Sequence, residues 1–585
     1  INLGTTGVNV TGTSTVGGTS TGQITLGNAT LSTGTTLTVG TGISNAITLG
    51  TVNGSAGTPN LTINTTGTVS VGAVGSTIGT VTVTQSGGTT FNSTVSATTV
   101  TLTATTGTIT FSGALTATTL NTAGSYNIAI NAGGTITNAV TFSNSGTLTL
   151  AGTTTFTGGV TAIAPSQVNI GGTVQSTNTG ISIGDSGTPT VLTTTTTISA
   201  GSGDITLGGT VDGTSALTLN STGTTTLSGA VGGGVGTALT SLTTNASGTT
   251  VINGGSVKTS GTQTYGDPVT LGAATTLTTA VTGAGDTIVF SSTVNSDGAT
   301  ARNLTITTGG NTPTVRFDGV VGGTNPLGAI AITGALDLNA IIQKTTGSTA
   351  GATSLTVSGI SNLGGDVNTT GGIQTYTGAV TVSGTGTRTL AGSTITNSST
   401  INGSSLALTI TGNSSIGGAI TAVTNFSVSG TTGLGANVST TGTQTYTGAF
   451  TINSADRILT TTSATAGDTI VFGSTVDSDG ATARALTLTT GGATPTIRFN
   501  GVVGGTNPVG AIAITGALDL NAIIQKTSDS SAGATSLTVS GVSNLGANVN
   551  TSGIQTYTGA VTLSGADRTL TGSTITTNGT IVGGA

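Results

Sequence analysis

Short runs in which apolar residues alternate with hydroxyl residues recur along the whole chain and constrain its fold more than any other feature. VTVT at 81–84 and TITF at 108–111 are two examples. Alternation with period two gives a β-strand one dry face and one wet face. The runs last about four to six residues between Gly-rich turns, so each strand needs hydrogen-bonded neighbours on both edges. The pattern therefore predicts an all-β protein.

Helical and disordered alternatives fit this chain poorly. Glu and Met are absent, Lys and Arg together number 10, and Gly numbers 100, so strong helix formers are scarce. Disordered chains are poor in β-branched residues, whereas Thr, Val and Ile dominate here. Both observations leave a packed β-protein as the preferred interpretation.

The choice among β-folds depends on the size of the inward residues. Antiparallel sandwiches usually contain recurring large aromatic core residues, but aromatic residues make up 3% of this chain. Val, Ile, Leu and Ala suit the narrow core of a solenoid, in which each coil stacks on the previous one. We therefore predict a parallel β-solenoid with about 20 residues per coil and on the order of 30 coils.

The composition hardly changes along the chain, and no linker separates one part from another. We therefore predict one continuous β-solenoid over residues 1–585. Residues 1–184 contain no charged side chain, and Asp185 is the first one. Because an ordinary globular domain is about 25% charged, residues 1–184 are predicted to form charge-free coils that depend on Thr, Ser and Asn for solubility.

A long duplication divides the second half of the chain. Residues 261–396 form the first repeat unit and residues 441–576 the second, with an offset of about 180–182. DTIVFSSTVNSDGATARNLTITTGG begins at Asp286, and DTIVFGSTVDSDGATARALTLTTGG begins at Asp468. Single-residue gaps between the copies are predicted to lie in turns, since a one-residue slip inside a strand exchanges its two faces.

A Gln-Thr-Tyr motif occurs four times and contains Tyr265, Tyr376, Tyr446 and Tyr557. One interpretation makes these tyrosines exposed adhesive contacts, because Tyr is favoured at interfaces. The preferred interpretation packs each tyrosine at a corner of the coil with its hydroxyl at the surface.

Acidic residues give the strongest hint of chemistry. Asp477 and Asp479 form either a Ca²⁺ site or an acid/base pair, or are solvated turn residues, since Asp before Gly is common turn chemistry. The turn is preferred, because Asn295 replaces Asp477 in the first copy. Asp204 in Gly201-Ser202-Gly203-Asp204 resembles only a fragment of a calcium-binding repeat.

Other site chemistry is excluded by composition. The chain has no His and no Cys, which removes the common zinc sites and the Ser-His and Cys-His nucleophile pairs. We predict no catalytic residue, no cofactor and no metal site, and no enzymatic activity.

The arginines recur in pairs, as Arg302 and Arg484, Arg316 and Arg498, and Arg388 and Arg568. They could form a binding stripe along one face. The preferred interpretation is that Arg302 pairs with Asp297, and Arg484 with Asp479, across a turn, where exposed ion pairs contribute only about 0–1 kcal/mol.

Three segments, QTYTGAVTLSGADRTLTGSTI at 555–575 and the stretches 131–159 and 164–180, resemble the large repetitive adhesins related to filamentous haemagglutinin. The resemblance implies a right-handed parallel β-helix in the form of an elongated rod. It also implies export by a two-partner or autotransporter route and a location outside the cell, on a Gram-negative outer surface. The secretion domain and membrane anchor of such proteins are not recognisable in the sequence, so we expect a segment of the shaft.

The function expected from these features is that of an extracellular structural or adhesive cell-surface protein, a rigid shaft or a self-assembling filament. Expected partners are further copies of the chain, associated head-to-tail or laterally, and cell-surface, host or matrix ligands. No basic patch predicts nucleic-acid binding. No apolar run reaches the ~20 residues of a membrane helix.

Two alternative functions remain open. One is a β-helical carbohydrate-binding or carbohydrate-cleaving protein, which a side face combining Asp, Arg and Tyr would favour. The other, a minor alternative, is an ice-binding surface built from Thr-x-Thr runs such as the one at 82–84. Thr is also simply a good strand residue, and the runs are interrupted by Asn and Ser.

Overall fold

The computed structural model describes residues 1–4, 6–234, 236–298, 300–464, 467–480, 482–492 and 494–583. The described residues form 64 strands and no helix, which confirms the all-β prediction. Most strands have three to six residues, as the short alternating runs predict.

The strands of the first half lie at Val8–Val10, Ser14–Val16, Ile24–Leu26, Ala29–Leu31, Thr36–Val39, Ile47–Leu49, Val52–Gly54, Asn60–Asn64, Val69–Val71, Val74–Ser86, Thr89–Phe91, Val95–Thr105, Thr108–Phe111, Leu115–Thr122, Asn127–Ile130, Gly134–Ile136, Val140–Thr141, Thr147–Phe156, Val160–Ala162, Gln167–Ser176, Ile181–Ile183, Thr190–Gly201, Ile205–Leu207, Val211–Asp212, Ala216–Ser221, Thr224–Leu227, Ser241–Thr244, Thr249–Ile252, Ser256–Thr259, Gln263–Tyr265, Val269–Leu271, Thr275–Thr279 and Gly285–Phe290.

The remaining strands lie at Val294–Ser296, Leu304–Thr307, Pro313–Phe317, Leu327–Thr333, Ala335–Leu338, Ala352–Val357, Ser361–Leu363, Val367–Tyr376, Val380–Val382, Arg388–Asn397, Ile401–Ile416, Ile420–Val428, Thr432–Leu434, Val438–Thr440, Gln444–Tyr446, Phe450–Ile452, Arg457–Thr461, Gly467–Phe472, Val476–Ser478, Leu486–Thr489, Pro495–Phe499, Val509–Thr515, Ala517–Leu520, Ala534–Val539, Ser543–Leu545, Val549–Asn550, Ile554–Tyr557, Val561–Leu563, Leu570–Thr571, Thr574–Thr577 and Ile581–Gly583.

The strands pair in parallel with strands one coil before and one coil after, as in a β-solenoid, and the coils number about 27 in all. One ladder runs through Leu37, Leu61, Val81, Val100 and Leu120. Successive partners there lie roughly 20 residues apart, as repeat periods suggest. This confirms the parallel β-solenoid, and the right-handed winding stays a prediction.

About 27 turns agree with the predicted number of coils, and individual coils differ in length. Ile306 pairs with Ile332 and Ile332 with Val357, whereas the next step, from Val357 to Tyr376, is shorter. The extra residues lie between strands, in turns such as residues 345–349. Turns accept such insertions because only the strands are bound by register.

The core occupies the inside of the coils. Inward residues such as Leu61, Val81 and Val100 are 0% exposed, and each stacks on its equivalent in the next coil. Aromatic residues join the stack, for example Phe91 on Phe111 with ring centroids 5.0 Å apart and nearly parallel planes. Offset aromatic stacking of this kind adds about 0.5–1.5 kcal/mol beyond area burial.

The corners of the coils are closed by Asn and Asp side chains that accept a backbone N–H from the following coil. Asn28 Oδ1 accepts the N–H of Thr51 at 2.9 Å, and Asp204 Oδ1 accepts that of Thr224 at 2.7 Å. Asn425 does the same for Thr443 at 2.8 Å. Where the ladder is interrupted, these side chains therefore satisfy amides that would otherwise lack a protein partner.

The chain divides into two compact units, residues 1–281 with 287–292, and residues 282–286 with 293–585. Parallel ladders run within each, as from Leu61 to Val81 in the first and from Leu537 to Gln555 in the second. The continuity of one solenoid over residues 1–585 stays a prediction.

Gly322 and Gly504 occupy equivalent corners of the two copies. Their φ angles are 68° and 67°, a left-handed conformation that residues with a Cβ rarely adopt. A Cβ on either residue would also meet the backbone carbonyl of Gly351 or Gly533. These corners consequently require glycine.

Candidate functional site

The four Gln-Thr-Tyr motifs place both of their long side chains inside the coils. The four tyrosines and the four glutamines are all 0% exposed. Each Tyr hydroxyl lies 2.9–3.0 Å from Oε1 of the glutamine two residues before it. Both predicted positions are wrong, because period two turns Gln and Tyr to the same inward side, where each supplies the other's hydrogen bond.

The glutamine amide connects two different ladders. Gln444 Nε2 donates to the carbonyl of Thr460 at 2.8 Å and to the hydroxyl of Thr440 at 3.2 Å. The other motifs repeat this bond, with Gln263 to Thr278, Gln374 to Ala391 and Gln555 to Thr571 at 2.7–2.9 Å. The motif therefore links two sides of a coil through buried hydrogen bonds.

Burial affects the ionisation of these tyrosines. Desolvation raises the pKa of Tyr265, Tyr376, Tyr446 and Tyr557 well above the ordinary value of 10.0, because the phenolate loses its hydration. Desolvation also raises the pKa of Tyr126 to about 12, although a hydrogen bond from the Ala123 amide opposes the change.

Asp477 lies in the strand Val476–Ser478, so its predicted turn position is wrong, whereas Asp479 directly follows that strand. Asp477 Oδ1 accepts the backbone N–H groups of Thr506 and Asn507 at 2.8 and 3.1 Å. Asn295 accepts the equivalent amides in the first copy, at 2.9 and 3.3 Å. A neutral amide thus makes the same contacts as the carboxylate, so the geometry here requires an acceptor and not a charge.

The predicted ion pairs across turns are confirmed. Arg302 lies 2.6 Å from Asp297, and Arg484 lies 3.4 Å from Asp479. Arg388 folds back on the backbone, with its Nε donating to the carbonyl of Ser383 at 3.0 Å. Arg568 contacts backbone carbonyls in the same way. Within the described ranges, no group of three or more acidic side chains is placed to hold a metal ion.

One buried carboxylate was not singled out from the sequence. Asp267 is 0% exposed, with Oδ1 accepting the Gly248 N–H at 2.7 Å and Oδ2 near the Thr250 hydroxyl at 3.3 Å. Desolvation raises its pKa, and these two hydrogen bonds oppose the change. The only sequence signal is its place two residues after Tyr265 and directly before a proline.

The strongest candidate for a binding site is a shallow groove that occurs twice, once in each copy of the duplication. An outward row of four side chains runs along it, and all four line the second groove, whereas the last three line the first. In the first copy, the row aligns Arg316, Asp337, Asn362 and Thr381 by backbone pairing. In the second, it aligns Arg498, Asp519, Asn544 and Thr562. Cation, carboxylate, amide and hydroxyl thus follow one another at about 4.7–4.9 Å.

An aliphatic side chain projects beside each row. Ile360 is 62% exposed and Val542 57% exposed, which is high for branched aliphatic residues. The groove of the first copy encloses about 320 Å³ and that of the second about 250 Å³. Sequence reasoning missed the grooves, because their residues are brought together only by the register between coils.

The two rows differ in the acidic partners of their arginine. Arg316 Nε donates to Asp318 at 3.1 Å, and Arg316 also contacts Asp286. The second copy has Asn500 where the first has Asp318, and Arg498 Nε donates instead to Asp519 at 2.7 Å. In both, the amide of the row donates to its aspartate at 2.8 Å, as from Asn544 to Asp519. Among the described contacts, the two guanidinium groups thus have different acidic partners.

No helix that could span a membrane is found in the described part of the chain. Stacked parallel coils, aliphatic inward rows and duplicated coils define the chain as a parallel β-solenoid repeat protein. No protein-family model, no curated protein and no solved structure matches the chain.

Proposed function

We propose that the chain is a structural segment of an extracellular, adhesive cell-surface protein. In this role the solenoid acts as a spacer and provides a surface for contacts. The observation that carries the proposal is the parallel ladder, in which each strand is hydrogen-bonded to the coil before and the coil after. The duplicated coils keep the inward residues of this ladder. In such a stack, stability is a sum over neighbouring coils, so a longer chain extends the same structure.

Composition supports a location outside the cell. The chain has no Cys and is 4% charged, which suits a polypeptide that crosses membranes unfolded and folds without disulfides. The resemblance of segments such as 555–575 to filamentous-haemagglutinin-like adhesins favours the same location, on a Gram-negative outer surface. Partners are then further copies of the chain or ligands of neighbouring cells and matrix.

Surface location and adhesion are tested together in the organism that encodes the chain. Protease treatment of intact cells is expected to remove the protein, and deletion of its gene is expected to lower attachment to surfaces or to other cells. A protein that stays protected until the cells are lysed would contradict the proposal. Electron microscopy of the purified chain then separates filaments from single particles, since stacked coils repeat at ~4.8 Å.

A second candidate function is carbohydrate binding at the two grooves. The observation that favours it is recurrence: the same row beside an exposed aliphatic residue is built twice from equivalent residues. Arginine, aspartate and asparagine offer donors and acceptors suited to sugar hydroxyls. Aromatic stacking is not part of the site, since the tyrosines of the motif are buried.

Glycan-array binding of the full chain tests this second candidate. The double variant Asn362→Ala with Asn544→Ala is expected to lose any glycan signal, because both rows lose their amide. Asn169→Ala, an outward asparagine in the first unit, is the matched control and should bind as the unmodified chain does. Equal binding by all three proteins would place the ligand elsewhere.

A further inference from the structure

One side of the first unit presents a Thr-x-Thr pattern on six consecutive coils. The twelve outward positions, called the threonine face below, contain ten threonines and two asparagines. They are Thr13, Thr15, Thr36, Thr38, Asn60, Thr62, Thr80, Thr82, Thr99, Thr101, Thr119 and Asn121.

Backbone pairing aligns eleven of these residues, all except Thr13, in two ranks. One rank passes from Thr15 through Thr38, Thr62, Thr82 and Thr101 to Asn121. The other passes from Thr36 through Asn60, Thr80 and Thr99 to Thr119. Neighbours within a rank are about 4.8 Å apart, and the ranks are about 6.6 Å apart, two residues along a strand. The face is thus periodic in two directions.

The rows beneath the threonine face hold it in place. Leu37, Leu61, Val81, Val100 and Leu120 alternate with the threonines, and all are 0–3% exposed. A close-packed inward row of this kind leaves little freedom to the strands that carry it. β-Branched side chains are also stiff at χ1, so the outward hydroxyl and methyl groups are ordered before any partner arrives.

The outward groups are uncharged, and some of their hydroxyls make no hydrogen bond within the described part of the chain. The face lies within residues 1–184, which carry no charged side chain. Thr38, Thr62 and Thr82 are half-buried on this side, and their hydroxyls make no hydrogen bond to the described part of the chain. These three threonines therefore present their hydroxyls to water. The hydroxyls of Thr13, Thr101 and Thr119 each accept a hydrogen bond, from the Thr36 N–H, Asn121 and Asn138 respectively.

We propose that the threonine face binds ice. A rigid array that is periodic in two directions favours a partner that is itself a periodic lattice, since all contacts then form together and little ordering is needed on binding. Uncharged hydroxyls at these spacings can occupy positions of water oxygens in an ordered lattice, and the methyl groups cover the gaps between them. This function goes beyond the adhesive role and does not depend on it.

Strand propensity alone explains part of the pattern, since threonine is favoured in strands generally. It does not explain why the aligned outward positions of six consecutive coils hold only threonine and asparagine. Outward rows of the second unit show the contrast, as in the sequence Arg316, Asp337 and Asn362. Strand propensity and ice binding therefore differ in one respect: only ice binding requires the aligned threonines to contact a partner together, as one surface.

The test is partition of the full chain into slowly growing polycrystalline ice, with thermal hysteresis as the second measurement. The face variant carries Thr62→Tyr and Thr82→Tyr, which place two aromatic rings at neighbouring positions of one rank. The control variant carries Thr90→Tyr and Thr110→Tyr, paired outward threonines on another ladder, on the coils that contain Thr82 and Thr101. A Thr62→Lys, Thr82→Lys variant repeats the test if the tyrosine variant loses its β-spectrum in circular dichroism.

The unmodified chain and the control are expected to enter the ice, and the face variant to be depleted from it by on the order of tenfold, the effect of about 1.4 kcal/mol of binding energy. Exclusion of the unmodified chain from ice would overturn the proposal. Equal losses in the face and control variants would also overturn it, as would binding to crystalline cellulose or chitin without binding to ice.

Discussion

At the residue scale, the Gln-Thr-Tyr motif shows how a nearly uncharged core accepts polar groups. The Tyr446 hydroxyl has its partner in Gln444, and the amide of Gln444 has partners in Thr460 and Thr440. Buried polar groups are tolerated when each has a hydrogen bond, and an unpaired one costs about 1–3 kcal/mol. The motif is therefore a closed unit, in which each buried polar group bonds to another member or to its neighbours. Loss of one member is expected to destabilise the others.

Tyr446→Phe is expected to destabilise its coil by about 1–3 kcal/mol, because Oε1 of Gln444 is left buried without a donor. The measurement is hydrogen exchange of the amides at Gln444–Tyr446, since a long stack opens locally. Tyr126→Phe is the matched control and should cost less, because the Tyr126 hydroxyl only accepts a long bond of 3.4 Å from Ala123. Equal effects would contradict the closed unit.

Alkaline pH should unfold the coils that contain these tyrosines. Their folded-state pKa values are raised by desolvation, so above pH ~10 the unfolded phenols lose protons that the buried ones keep. Stability is then full below that pH and falls as pH rises, by about 1.4 kcal/mol per pH unit for each tyrosine. Circular dichroism and tyrosinate absorbance should change together. Ionisation near pH 10 without loss of β-structure would show that the phenols are accessible.

At the element scale, short strands are fixed by their neighbours, and the corners by special residues. Gly322 has a φ of 68° and lies against the carbonyl of Gly351. Its N–H donates to Val294 at 2.8 Å, and the next rung is closed by the bond from Gln343 to Val321 at 3.2 Å. One corner thus aligns three coils.

Gly322→Ala is expected to destabilise these coils by about 1–3 kcal/mol, the range for a residue held in a disfavoured conformation. Gly310→Ala is the control, because the space around its Cβ position is open and its φ is not positive. Hydrogen exchange at Val321 and Gln343 should increase in the first variant alone. Unchanged protection in Gly322→Ala would show that the corner can rearrange.

Much of the fold could be predicted from strand-level patterns, and the site could not. Period-two runs and small inward residues indicate stacked coils, and turn spacing indicates pairs such as Arg302 with Asp297. The same periodicity places Gln444 and Tyr446 on one side of their strand, a signal sufficient to predict their contact. The row of Arg498, Asp519 and Asn544 depends on which residues align between coils, and the sequence of one coil does not determine that register.

At the scale of the whole molecule, pairing between successive coils makes the chain extensible. Gly285-Asp286 and Gly467-Asp468 begin the same sequence, GDTIVF, in the two copies. Tyr265 pairs with Phe290 just as Tyr446 pairs with Phe472. A stack whose coils contact only their neighbours should accept the removal of a whole repeat.

Deletion of residues 286–467, which joins Gly285 to Asp468, is expected to leave a folded all-β protein, because Tyr265 then meets Phe472 in the register of Phe290. Deletion of residues 286–472 also removes Phe472 and the strand that Tyr265 would meet, so it serves as the control. Circular dichroism and limited proteolysis distinguish them. Similar protease resistance in both shortened chains would show that register across the junction is not required.

The substitution of Asn500 for Asp318 has an evolutionary consequence. Inward differences between the copies are conservative, as with Ile306 and Leu488, both 0% exposed. Outward differences change the chemistry, as with Asn303 and Ala485 or Asp318 and Asn500. A gene that lengthens by duplicating whole coils encodes each outward surface twice. Outward residues of one copy can then change under selection while those of the other copy are kept.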